Sequence, residues 1–180
     1  PASGTLDLGG TFLNGNEVRY NQTDNTLSAH GQVELSKAGN DTVRAPVLRY
    51  ELDTERGDSE NAEFMLGNNE MGRGWAKRMT MAGRDRMTLE SVRYTTCPPG
   101  QDDWFLRARE LTLDKTSETG TAWHAVVEFQ HVPIFYSPFL SFPLTDERKT
   151  GFLTPRMGHG SSSGFMLATP YYFNLAPNYD

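Results

Sequence analysis

The feature that most constrains this chain is period-two alternation of apolar and polar residues. From position 27 to 35, Leu27, Ala29, Gly31, Val33 and Leu35 alternate with Ser28, His30, Gln32 and Glu34. Successive side chains of a strand point to opposite faces, so this pattern makes a strand with one dry and one wet side. Ala62, Phe64 and Leu66 repeat it against Asn61 and Glu63, as do Trp123, Ala125, Val127 and Phe129 against His124 and Glu128. Between Met87-Leu89 and Val92-Tyr94 the alternation slips by one residue, which predicts a bulge. No segment has a helical period.

A longer period is laid over the short one. Val18-Arg19-Tyr20, Leu48-Arg49-Tyr50, Met79-Thr80-Met81 and Leu111-Thr112-Leu113 share an apolar–polar–apolar form and lie 30, 31 and 32 residues apart. Each precedes a polar turn rich in Asn, Asp, Gly or Ser (21–25, 53–57, 83–85 and 114–117) and then a second alternating strand, the order of a hairpin. A fixed spacing of this size marks a repeat architecture. One strand pair cannot bury its apolar side, so neighbouring units must stack to build a continuous core. Alternation alone favours a filled core over an open groove.

Bulk composition narrows the function classes. The 180 residues suffice for one domain, or one domain plus part of another. The formal net charge of -6 argues against nucleic-acid binding, which needs a surplus of Lys and Arg on one face. A single cysteine, Cys97, is either a buried thiol or half of a bridge to a residue outside the sequence. No apolar run is long enough for a membrane helix. The sequence stops at Asp180 directly after an aromatic stretch, as a truncated chain does.

Chemistry-bearing motifs are sparse. Gly160-Ser161-Ser162-Ser163-Gly164 fits the G-x-S-x-G form, but a nucleophile elbow needs a helix after it and a downstream His; the next residues have strand character and no His follows. His30, His124, His131 and His159 have no metal-ligand spacing. Asp102-Asp103 reads as a solvated loop after Cys97-Pro98-Pro99-Gly100. No nucleotide-binding loop is present. Neither a cofactor nor an enzymatic activity is expected.

The tail differs in kind. Positions 131–144 are aromatic and apolar with prolines at 133, 138 and 143, residues that strands tolerate at edges, bulges and bends. A charged stretch, 145–149, leads to two further strands, near 152–156 and 164–174, the second of which carries Phe165, Leu167, Tyr171 and Phe173 with the aromatic character of membrane-barrel strands.

Several motifs occur here in a fixed order: Tyr94-Thr95-Thr96-Cys97-Pro98, Asp103-Trp104, Val132-Pro133-Ile134-Phe135-Tyr136-Ser137-Pro138, Thr150-Gly151-Phe152-Leu153-Thr154-Pro155 and Pro170-Tyr171-Tyr172-Phe173-Asn174-Leu175-Ala176-Pro177-Asn178. The chain thereby resembles the LptD (OstA/Imp) family of lipopolysaccharide-assembly proteins of the Gram-negative outer membrane. The likeness is dense from about residue 91 to 180 and looser, as OstA-type β repeats, before that. It implies an all-β fold: an open, repeat-built β-jellyroll facing the periplasm over residues 1–147, then the first strands of a truncated outer-membrane β-barrel over 148–180. It implies lipopolysaccharide as ligand, an LptE-type lipoprotein plugging the full barrel, and a periplasmic LptA-type bridge of similar jellyrolls.

On this resemblance, a groove shelters lipid A acyl chains and passes them to the barrel lumen and lateral gate. Its expected lining is Leu27, Ala29, Val33, Leu35, Leu48, Tyr50, Ala62, Phe64, Leu66, Met79, Met81, Met87, Leu89, Leu111, Leu113, Ala125, Val127 and Phe129. Cys97 matches the cysteine that bridges to one near the barrel end, and Pro155 and Pro170 match prolines of the gate strands, where a missing ladder donor weakens pairing. The family's early cysteine has no counterpart, and the amino-terminal stretch that docks the bridge looks shortened. The other readings are a β-repeat scaffold with a filled core and a carbohydrate-active β-helix protein, which would need clustered carboxylates or basic groups on one outer face.

Overall fold

A computed structural model describes residues 4–7, 10–37, 41–67, 72–144, 151–152, 156–160, 164–168 and 171–172. All the regular elements among them are strands: β1 (Gly4–Asp7), β2 (Thr11–Gly15), β3 (Glu17–Asn21), β4 (Thr26–Lys37), β5 (Asp41–Glu51), β6 (Arg56–Leu66), β7 (Gly72–Ala82), β8 (Arg86–Thr95), β9 (Trp104–Asp114), β10 (Thr119–Phe129), β11 (Val132–Pro143), β12 (Gly151–Phe152), β13 (Arg156–Gly160), β14 (Gly164–Ala168) and β15 (Tyr171–Tyr172).

The first eleven form one antiparallel sheet. Its order is β1-β2-β4-β5-β6-β7-β8-β9-β10-β11, with β3 also paired to β4. The thirty-residue period is therefore a hairpin of two long strands, and successive hairpins join side by side in one meander. The four polar turns of the sequence close β3–β4, β5–β6, β7–β8 and β9–β10. The hairpins are tied to one another along this edge: Leu52 N–H donates to Asn25 O (3.0 Å), Lys115 N–H to Asp85 O (2.7 Å) and Leu144 N–H to Glu118 O (2.9 Å). The proline-bearing segment becomes β11, paired in this sheet with β10 alone, an edge position that tolerates prolines.

A flat sheet could not bury one whole face, yet Leu27, Ala29, Ala62, Met79, Leu89, Leu111 and Ala125 are all 0% exposed. The sheet supplies its own cover by folding over along a crease that crosses every long strand. In the six central strands the inward alternation breaks in the same way: two exposed residues stand between two buried ones. The exposed pairs are Pro46-Val47, Glu60-Asn61, Lys77-Arg78, Glu90-Ser91, Arg109-Glu110 and Trp123-His124. Pairing lapses along the same line, for instance between Ala45↔Val33 and Val47↔His30, or between Ala62↔Ala76 and Glu60↔Arg78.

The backbone cause lies in the even-numbered strands. Gln32, Asn61, Ser91 and His124 have φ of 49°, 50°, 48° and 50°. One left-handed residue in an extended strand is a bulge, which bends the strand and flips the phase of its side chains. The slip expected between Leu89 and Val92 is one member of this series. Near the crease the two halves converge, so little room remains between them. Every buried alanine among the described residues flanks it: Ala29, Ala45, Ala62, Ala76, Ala108, Ala122 and Ala125.

Two contacts bring the halves face to face. Tyr94, beyond the crease in β8, and Phe142, on the other side of it in β11, have ring centroids 5.8 Å apart. In a flat sheet the register Tyr94↔Leu106↔Val127↔Phe135 would separate them by roughly 25 Å. Asp41, at the start of β5, forms an ion pair with Lys115, just past the end of β9. Flat, those ends would lie more than about 30 Å apart. Both pairs join one half of a strand to the other half of a strand three or four places along.

Candidate functional site

The site is the space between the two halves. Of the eighteen residues expected to line a groove, sixteen are buried, and Met87 and Phe129 are half-buried. All but Phe129 belong to the core cluster or pack against it. They share the inward face because the bulges at the crease restore the dry side after each phase slip. The interior is filled by its own side chains in this state. Tyr94 shows how dry it is: burial pushes the phenol well above its ordinary value.

The packing is closest where glycines stand opposite large groups. A Cβ on Gly74 would lie 2.1 Å from the Arg93 carbonyl oxygen and 2.8 Å from the Phe64 ring. Burial relaxes toward the last strands, where Trp104, Ile134, Phe135 and Phe142 pack against the cluster while remaining partly exposed.

Opposite the crease the two halves meet at a rim. Here Leu35, Val43 and Leu66 of one half and Met81, Met87 and Leu113 of the other line a small pocket. Arg84, Arg86 and Lys115, with Asp41 and Asp85, stand at its lip. Asp41 is held from its own half, since Gly67 N–H donates to its Oδ1 (2.9 Å), and its Oδ2 takes the Lys115 ammonium from the other.

Outside the interior, charges pair across strands. Arg44 meets Glu34 (2.8 Å), Arg84 meets Glu55 (2.7 Å) and Arg73 meets Asp102 (2.6 Å). Glu128, expected on the wet side but buried, lies 2.9 Å from Arg107 and 3.7 Å from Arg93, whose guanidinium stacks 3.7 Å over Phe105. Arg73 also donates to Cys97 O (3.0 Å) and Pro98 O (3.1 Å), which pins the loop carrying Cys97. Cys97 is half-buried and forms no disulfide among the described residues. The outer face of β10 and β11 carries exposed Trp123, Tyr136 and Phe139. Trp123 and Phe139 meet edge to face at 5.0 Å, and His124 Nδ1 lies 3.0 Å from Tyr136 Oη.

Among the described residues no catalytic centre is assembled. Among the described residues no group of three His, Cys, Asp or Glu could hold a metal ion. Ser162 lies outside the described residues, but the strands on either side of it, β13 and β14, pair as a hairpin from Arg156↔Ala168 to Gly160↔Gly164, and the strand after it excludes a nucleophile elbow. Asp102 is an ion-pair partner of Arg73 in a loop. Pro155 and Pro170 lie outside the described residues; beside them, β12 pairs β15.

The sequence reading found one bulge of the crease, between Leu89 and Val92, and missed the rest of that line and the rim. The crease had a visible signal, two polar or exposed residues between inward-facing ones at 30-residue intervals. In β4 three residues stand between Ala29 and Val33, so the inward positions stay odd-numbered and the strand looks uninterrupted. The rim pair, 74 residues apart in sequence, has no local signal.

Comparison with known proteins comes to bear at this point. No family model matches the chain. It is 37% identical over 175 residues to the "LPS-assembly protein LptD" of Nitrosospira multiformis, covering 97% of this chain and 19% of that protein. It is 45% identical over 168 residues to the protein of that name from Alkalilimnicola ehrlichii, 93% of this chain and 22% of the relative, and 40% identical over 168 residues to that of Methylococcus capsulatus, 93% and 16%. The chain thus spans about a fifth of the length of these relatives.

Proposed function

The chain belongs to the LptD family of LPS-assembly proteins, of which it corresponds to one segment, and from that premise we propose that it is the part of such a protein that receives lipopolysaccharide on the periplasmic side of the outer membrane. The folded-over sheet is the open β-jellyroll of the family, residues 1–147. The segment 148–180, with β12 to β15, begins the barrel. No catalytic step belongs to this reading.

The observation that carries it is the unbroken apolar inner face running from β4 to β11. Acyl chains take the place of side-chain contacts when the halves part, while the sugars remain in water. Each methylene transferred to such a surface contributes about 0.8 kcal/mol, so a few sheltered chains hold the lipid firmly. The partly exposed Trp104, Phe129 and Phe135 mark the end at which lipid leaves for the barrel and its lateral gate at Pro155 and Pro170. Cys97, on its pinned loop, bridges to a cysteine beyond this segment. The bridge of LptA type joins at the β1–β3 side of the sheet, and the plug lipoprotein of LptE type acts with the full barrel.

A photo-crosslinker at Phe64 or Val127 in the full-length protein tests this. During active transport in cells both positions label with lipopolysaccharide. Absence of label at both would remove the lipid path from this segment and leave a filled-core scaffold.

A further inference from the structure

On the reading just given, we propose that the Asp41–Lys115 ion pair is a latch between the two halves of the sheet, and that Lys115, when the latch opens, takes the phosphate of an acylated lipid entering between them.

The two partners are held differently. Asp41 is fixed to its own half by Gly67 N–H, so its carboxylate keeps its place whether or not the rim is closed. Lys115 is tied to its own half through its backbone, whose N–H donates to Asp85 O (2.7 Å). Its side chain is 32% exposed and reaches across the gap to Asp41. A flexible four-carbon stem suits a cation that must change partners. Directly beneath the pair lies the pocket whose wall is apolar from both halves and whose lip carries Lys115, Arg84 and Arg86 together with Asp41 and Asp85. An apolar wall under a lip with three cations complements a phosphate bearing acyl chains.

The exchange keeps the Lys115 cation paired, a carboxylate giving way to a phosphate, while Asp41 keeps its Gly67 N–H bond and gains water as the rim opens. The charge-assisted bond to phosphate is of the same class as the bond to carboxylate that it replaces. Arg84 is already committed to Glu55 at 2.7 Å, which leaves Lys115 and Arg86 to meet the anion.

The two partners therefore predict opposite effects, although either substitution breaks the same ion pair. In the full-length protein with the photo-crosslinker at Phe64, Asp41→Asn raises lipopolysaccharide labelling and Lys115→Met lowers it, each by about three- to fivefold, the scale of a partly exposed pair. Changes of the same sign in both variants, or no change in either, would overturn the proposal, since a merely structural bridge treats its ends alike.

A second readout separates the latch from the lipid path itself. Spin labels at Thr42 and Thr116 report the width of the rim in purified protein. It widens with lipopolysaccharide and stays closed with inorganic phosphate alone. A rim that stays closed while Phe64 labels would sink the latch and spare the path. A closed rim and an unlabelled Phe64 would sink both. Opening by inorganic phosphate alone would make this a site for free anions, against the proposal.

Discussion

At the scale of single residues, the interior is governed by what glycine and alanine leave empty. Gly74 lets the Phe64 ring and the β8 backbone meet, and a methyl group there has nowhere to go because its nearest neighbour is a carbonyl oxygen. Gly74→Ala is expected to cost about 1–3 kcal/mol, the usual range for overpacking, seen as a lower denaturation midpoint in urea at unchanged slope. Asp114 governs the β9–β10 turn: it accepts N–H bonds from Thr116 (3.0 Å) and Ser117 (3.1 Å), and the Ser117 bond leads in holding its carboxyl below the ordinary 3.8. A depressed folded value means the contribution is present above the unfolded value and fades as pH falls through the lower, folded one. Stability should therefore decline from about pH 4 downward, and Asp114→Asn should flatten that decline. An unchanged acid limb in this variant would show that the turn does not depend on the charge.

At the scale of elements, the crease explains why a meander of long strands becomes two layers. A left-handed non-glycine residue costs roughly 1–2 kcal/mol, and the fold accepts that cost at Gln32, Asn61, Ser91 and His124 because each bulge returns the dry face to the inside. Two substitutions at this line should act in opposite directions. Ser91→Gly relieves backbone strain and should raise the melting temperature. Ala62→Leu wedges the halves apart where they are closest and should lower it, by the few degrees that about 1–3 kcal/mol represents in a chain of this size. An Ala62→Leu variant as stable as the parent would mean that the halves are not in contact there.

Strands, hairpins and their spacing were legible in the sequence because alternation and turn residues act locally. Ser91 was legible too, since its strand slips visibly between Leu89 and Val92. The same bulge in β4 was hidden, because the wider break around Gly31 leaves Ala29 and Val33 in one apparent phase. The thirty-residue repeat gave the unit but not its assembly: identical hairpins can coil or lie side by side, and the choice rests on backbone pairing. Lys115 and Asp41 could not be found, for their meeting depends on how far one half of the sheet is turned over the other.

At the scale of the whole molecule, the proposed function has one folded sheet keep lipid between its halves. The chain is similar to LptD proteins about five times its length, and the proposed lipid lining is the apolar face that the fold buries. The most direct measurement is a photo-crosslinking scan along β6 in the full-length protein during transport. Label with lipopolysaccharide should appear at Ser59, Ala62, Phe64 and Leu66, and fail at Glu60, Asn61, Glu63 and Met65, reproducing the skip at the crease. Uniform labelling, or label on the outward set, would contradict the account.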